Sequence, residues 1–155
     1  MNRLEVINRK SMYVPHAHPT IMIDGMPLDE LLQKLYPDQL LHGLIPVIVD
    51  WMHIEQEAKI VVERFYSNHS QVILPILMCP DDCDLSCTIV VAEVIQSNDK
   101  IIWNRIGYDR SECNQTASTI NIGTTVNWFD GIDRMIFDKE AYYTSLKSIY
   151  TLDRN

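Results

Sequence analysis

The spacing of apolar residues changes about half-way along the chain. Before residue 70 the pattern is mostly helical. Leu28, Leu31, Leu32, Leu35 and Tyr36 fall at i, i+3, i+4, i+7 and i+8, which predicts a helix over 28–36 that Pro37 stops. Asp38 stands where it can cap a second helix through Leu40, Leu41, Leu44 and Ile45, which Pro46 would break. Residues 54–66 begin with good helix formers and repeat Ala58, Val61, Val62 and Phe65 at helical spacing, which predicts a third helix. Ahead of these, Leu4-Glu5-Val6 alternates briefly. Pro15 and Pro19 keep the stretch around His16 and His18 out of a helix, Ile21-Met22-Ile23 suggests a short strand, and Asp24-Gly25 a turn.

From residue 71 the texture is that of strands. Val72 to Met78 reads as a buried strand in which Pro75 marks an edge or a bulge. Thr88 to Ile95 is β-branched and reads as a central strand. Ser97-Asn98-Asp99 signals a turn, and Lys100 to Ile106 reads as the hairpin partner, ended by Gly107. Residues 108–125 are polar and predict a long surface loop, with an edge strand toward Trp128. Asp138 can cap a last helix whose apolar face is Tyr142, Tyr143, Leu146, Ile149 and Tyr150. The order implies an α+β fold: N-terminal helices, a central antiparallel β-meander and a C-terminal helix, not the alternation of a βαβ protein. No repeat, low-complexity tract or Gly/Ser linker interrupts the 155 residues, so one domain over 1–155 is expected. That length can bury a core without disulfides or metal.

Charge narrows the partners. Thirteen Lys and Arg against twenty-one Asp and Glu leave a net charge of −8. A phosphate-binding surface needs the opposite sign, so a nucleic-acid partner is not expected, while a cationic protein is. No run reaches the ~18–20 apolar residues of a membrane span. The first ten residues lack the apolar core of a secretory signal, so the chain reads as cytoplasmic. In that reducing setting the four cysteines are expected to be thiols or ligands.

The densest chemistry lies between the two apolar runs, at residues 79–87. Cys79, Cys83 and Cys87 are spaced four and four, with Asp81, Asp82 and Asp84 among them. The loop can be a metal site, a redox site or an acidic recognition loop on a rigid hairpin. For zinc the spacing is tolerable, but no second knuckle exists and Cys113 stands alone in the polar stretch. The aspartates lack the alternating ligands, glycine and distal glutamate of an EF-hand. As a prepositioned anionic patch for Arg and Lys side chains they need no cofactor. His16-Ala17-His18 in an extended segment would point both rings the same way, but no third ligand is adjacent. No G-x-S-x-G, P-loop, G-x-G-x-x-G or H-E-x-x-H is present. Among the aromatic residues, Trp103 is expected in the core. Trp128-Phe129-Asp130 lies in a turn-rich segment suited to an interface.

With its acidic charge, its size and the segment LPILMCPDDCDLSCTIVVAEVIQSNDKIIWNRIGYD at 74–109, the chain resembles the small cytoplasmic immunity proteins of bacterial polymorphic-toxin systems, including contact-dependent growth inhibition. The likeness covers about a quarter of the length. It implies a non-catalytic inhibitor that binds a cognate toxin domain, often a cationic nuclease. From the residues themselves, Asp81, Asp82, Asp84, Trp128, Phe129 and Asp130 are the expected partner-binding set, with neither cofactor nor metal. The alternative is a zinc-binding hydrolase or metal-stabilised regulator built on Cys79, Cys83 and Cys87.

Overall fold

A computed structural model describes residues 1–86, 88–111 and 122–153. The N-terminal alternation makes a hairpin: β1 (Leu4–Arg9) pairs antiparallel with β2 (His18–Ile23), Leu4 opposite Ile23 and Arg9 opposite His18. Asp24 and Gly25 then turn the chain into the short strand β3 (Met26–Pro27), at φ 50° and 84°. Two successive left-handed residues are what a tight hairpin turn demands. The Asp24 carboxylate accepts from the Arg3 backbone N–H at 2.7 Å and from Asn2 Nδ2 at 2.8 Å. These bonds, that of Arg3 foremost, hold it below the usual carboxylate range. The helix-first order expected from the sequence is therefore corrected: a small three-stranded sheet comes before any helix.

Helix α1 (Leu28–Leu35) buries Leu28 and Leu32 as its spacing requires. The second helix, expected from Asp38 to Ile45, does not form. Its place is taken by a loop that one side chain organises. Gln33 Nε2 donates to the carbonyls of Tyr36 (3.3 Å), Pro37 (3.4 Å) and Gln39 (2.7 Å), and its Oε1 accepts from the N–H groups of Leu41 and His42, both at 2.9 Å. Gly43 at φ 97° and the two flanking prolines leave too few residues for a stable helix. Gln33 supplies the partners that helical bonding would have given. The chain continues through β4 (Ile45–Pro46) and a 3₁₀ turn at Val49–Trp51 into α2 (Glu55–Phe65), which buries Ala58, Val61 and Phe65.

Strands β5 (Gln71–Met78), β6 (Ile89–Gln96) and β7 (Lys100–Asp109) form the antiparallel meander, with β4 beside β5. On the far side of β7, β8 (Val126–Trp128) and β9 (Met135–Asp138) pair with its two ends. Pro75 sits at a bulge, since the register shifts between Pro75 and Leu77. The strand β7 runs past Gly107, where its end was expected. A Cβ at that position would collide with the Asn127 carbonyl oxygen, so the missing side chain is what lets β8 close on β7. Helix α3 (Lys139–Leu146) begins at Asp138, whose carboxylate accepts from the Ala141 N–H at 3.0 Å. Tyr142, Leu146, Ile149 and Tyr150 are buried, and Trp103 Nε1 donates to the Tyr142 hydroxyl at 3.1 Å. The fold is thus a mixed α and β one, with antiparallel sheets and three α-helices among the described residues, the last near the C-terminus. No described helix is long and apolar enough to cross a membrane.

One buried charge sits within the meander. Glu93, 4% exposed, receives Arg105 Nη2 at 2.5 Å and Nε at 3.2 Å, Asn104 Nδ2 at 2.9 Å and Gln71 Nε2 at 3.0 Å. A bulge after Glu93 is what lets both Asn104 and Arg105 reach it. The Arg105 bonds foremost hold this carboxyl below its usual range. Its contribution to stability is therefore complete above the ordinary carboxylate value and is lost as pH falls through the lowered, folded-state value. Glu93→Gln places an amide among donors and should cost about 2–4 kcal/mol at neutral pH. Urea denaturation at pH 7 and pH 3 should also show a smaller acid-induced loss in the variant than in the wild type.

Candidate functional site

The charge of the chain is unevenly placed. Between Lys34 and Lys59, and again between Arg64 and Lys100, there is no lysine or arginine. The first gap carries Asp50, Glu55 and Glu57 at the 3₁₀ turn and the start of α2. The second carries Asp81, Asp82 and Asp84 in the β5–β6 connection. The fold ties the two gaps together. The His53 N–H donates to the Cys83 carbonyl at 3.4 Å, and the Leu85 N–H donates to Glu57 Oε1 at 2.9 Å. Two segments that carry these six carboxylates and no lysine or arginine are thus joined at one end of the molecule.

The connection is held from inside. The Cys83 N–H donates to the Cys79 carbonyl at 3.0 Å and its thiol to the Pro80 carbonyl at 3.3 Å. Cys83 adopts φ 47°, a left-handed conformation that costs roughly 1–2 kcal/mol for a residue with a Cβ and persists because these bonds fix it. Burial first, then Cys79 and the neighbouring aspartates, push the Cys83 thiol up, so it stays protonated and donates. Asp84 is spent locally: its Oδ1 accepts from the Ser86 N–H at 2.9 Å and hydroxyl at 2.6 Å. Asp81 and Asp82 are left exposed on a rigid support, and exposed Ile54 adds an apolar side chain close by. Glu57 is buried beneath. Burial raises its carboxyl, the Leu85 N–H opposes that, and Asp84 adds to the rise.

The other three expected contact residues lie elsewhere. Trp128 ends β8 and is half-buried with the Arg105 guanidinium 4.1 Å above its ring. Phe129 is half-buried between Tyr36 and Tyr108, at ring separations of 4.7 and 5.0 Å. Asp130 is exposed beyond it, and its charge adds to the burial that raises the Tyr36 hydroxyl. The aromatic pair expected at an interface is half-buried at the sheet edge, each ring with its own packed surroundings. Strand β7 lies between β8 and the start of β6, so these residues stand on the other side of β7 from the β5–β6 connection.

For the metal alternative, Cys79 and Cys83 are free thiols, while Cys87 and Cys113 lie outside the described residues. Among the described residues no three His, Cys, Asp or Glu side chains are gathered in a way that could hold an ion. His16 and His18 do share a side of the chain: both rings lie against Trp51, at 5.8 and 5.7 Å. Compared with known proteins, the chain matches no family model, no curated protein and no solved structure.

Two residues central to this end had no signal in the sequence reading. Glu57 was one helix former among several, and only its buried position in the first turn of α2 makes it the acceptor for Leu85. His53 matters through its backbone N–H, which residue type does not reveal. Glu57→Ala should cost about 1–3 kcal/mol and abolish hydrogen-exchange protection at the Leu85 amide, while Glu57→Gln keeps an acceptor there. Because the folded-state value of Glu57 is raised, stability falls as pH rises from its unfolded to its folded value. Glu57→Gln should remove that slope in denaturation measured across the weakly acidic range.

Proposed function

We propose that this chain is an inhibitor of the immunity type, binding a cationic toxin domain through the acidic end formed by the β5–β6 connection and the start of α2. The observation that carries the reading is the cross-linking of two segments free of lysine and arginine, which sets Asp81 and Asp82 out on a strained, hydrogen-bonded loop. A fold does not need such a concentration of one sign, since like charges oppose folding. A cationic partner offsets it, and a preformed loop loses little entropy on binding. Inhibition by occupancy needs no turnover: carboxylates take the place of the anionic substrate at the mouth of the toxin, and Ile54 adds apolar contact. Trp128, Phe129 and Asp130 belong to the partner surface only where the toxin reaches round to the β8 edge.

The test is association with a candidate toxin domain taken from the genes neighbouring this one, followed by stopped-flow fluorescence. Asp81→Lys with Asp82→Lys should slow association about 10- to 100-fold at low salt, with the difference shrinking toward unity at high salt. Equal association rates for the two proteins at low salt would remove the acidic end from the interface. Failure of the wild type to protect cells that express the toxin would remove the inhibitor reading altogether.

A further inference from the structure

Ser11 lies in the turn between β1 and β2, where its N–H donates to the Val14 carbonyl at 3.1 Å. Its Oγ is 3.0 Å from Nε2 of His18, and Nδ1 of the same ring is 2.9 Å from the Pro19 carbonyl oxygen. A carbonyl oxygen only accepts, so in the neutral ring Nδ1 carries the hydrogen. Nε2 is then left as the acceptor for the Ser11 hydroxyl. This is the relation an activated serine requires: a base within hydrogen-bond reach, itself oriented by a third group. His18 is 2% exposed, with Trp51 edge-on against its ring at 5.7 Å and the Thr20 hydroxyl donating to its carbonyl at 3.3 Å.

The two residues differ in what they face. Ser11, Thr20 and Asp29 line both a small inner cavity of about 10 Å³ and an open groove of about 290 Å³. His18 lines only the inner cavity, whereas Arg9, Lys10, Glu30 and His42 border the groove. The hydroxyl therefore faces the groove, with the buried base behind it.

We propose that Ser11 is a nucleophile with His18 as its general base, and that the groove takes short-chain carboxylic esters with a good leaving group. The Ser11 oxygen bonds to the ester carbonyl carbon as its proton passes to His18 Nε2. The carbon–oxygen bond to the alcohol then breaks, and the imidazolium proton goes to the departing oxygen. Water repeats both steps on the acyl-serine, releasing the carboxylic acid and restoring the hydroxyl. Arg9 and Lys10 on the groove lining would offset the developing oxyanion, opposed in part by Asp29 and Glu30 on the same lining. Rim cations are weaker for this than buried donors, which is why the leaving group must depart readily. This site is independent of the acidic end and goes beyond the inhibitor reading.

The test uses the full chain with a fluorophosphonate probe, the adduct located by peptide mass spectrometry, and 4-nitrophenyl acetate as substrate. An adduct at Ser11 is expected, with hydrolysis above background that Ser11→Ala removes. His18→Gln should slow labelling about 10²- to 10⁴-fold, the usual worth of a general base. Circular dichroism checks the fold of each variant. Should His18→Gln fail to fold, Ser11→Ala, which deletes one oxygen, decides alone. Labelling shared equally with exposed serines such as Ser70 and Ser148, no adduct at Ser11, or hydrolysis unchanged in Ser11→Ala would each overturn the proposal.

Discussion

Strand β5 has an edge that β6 leaves unpaired, and three parts of the chain meet there. The Ile73 carbonyl accepts from Arg64 Nη1 at 3.0 Å, the Pro75 carbonyl from the Tyr150 hydroxyl at 2.7 Å, and the Ile76 carbonyl from the Val47 N–H at 3.4 Å. Carbonyls left bare in a buried edge would each cost the free energy of a lost hydrogen bond and would invite pairing with another chain. Helix α2, the segment after α3 and the residue following β4 are held in place because each supplies one of those donors. The same segment after α3 carries the Ile149 carbonyl, which accepts from the Val49 N–H at 3.0 Å and so positions the 3₁₀ turn at the start of the acidic end. Phe65 and Tyr150 stack at 4.5 Å over this seam, which couples packing to the hydrogen bonds.

Much of this was legible where local pattern and tertiary need agree. The helical spacing from Leu28 and from Ala58, the cap at Asp138, the bulge at Pro75 and the burial of Trp103 all follow from residue type and period, and the structure has them. The differences have separate physical causes. Gln33 displaced the expected helix after Asp38. The hairpin of β1 and β2 was read as fragments, because its connection around Pro15 carries no two-residue turn signal. Gly107 was read as a terminator, whereas its lack of a side chain serves the neighbouring strand.

Of the candidate site, the acidic loop was visible because charge is a property of composition. Its rigidity was not, since that rests on Glu57 and on the left-handed Cys83. The contact of Ser11 with His18 was equally hidden. They are seven residues apart, and only the pairing of Arg9 with His18 folds the turn so that the hydroxyl meets the ring. Trp128 and Phe129 looked alike in the sequence. Adjacent residues at a strand end face opposite ways, and each found its own covering, one under Arg105 and one between two tyrosines.

Surface loops ordinarily absorb inserted residues at small entropic expense. The stretch from Tyr36 to His42 is different, because five of its backbone groups converge on the amide of Gln33. One extra residue there would leave several donors and acceptors out of reach together, and no other side chain of similar length offers both a donor and an acceptor. Loop length and the identity of position 33 are therefore bound to change as a pair over evolutionary time, in a region where drift would otherwise be freest.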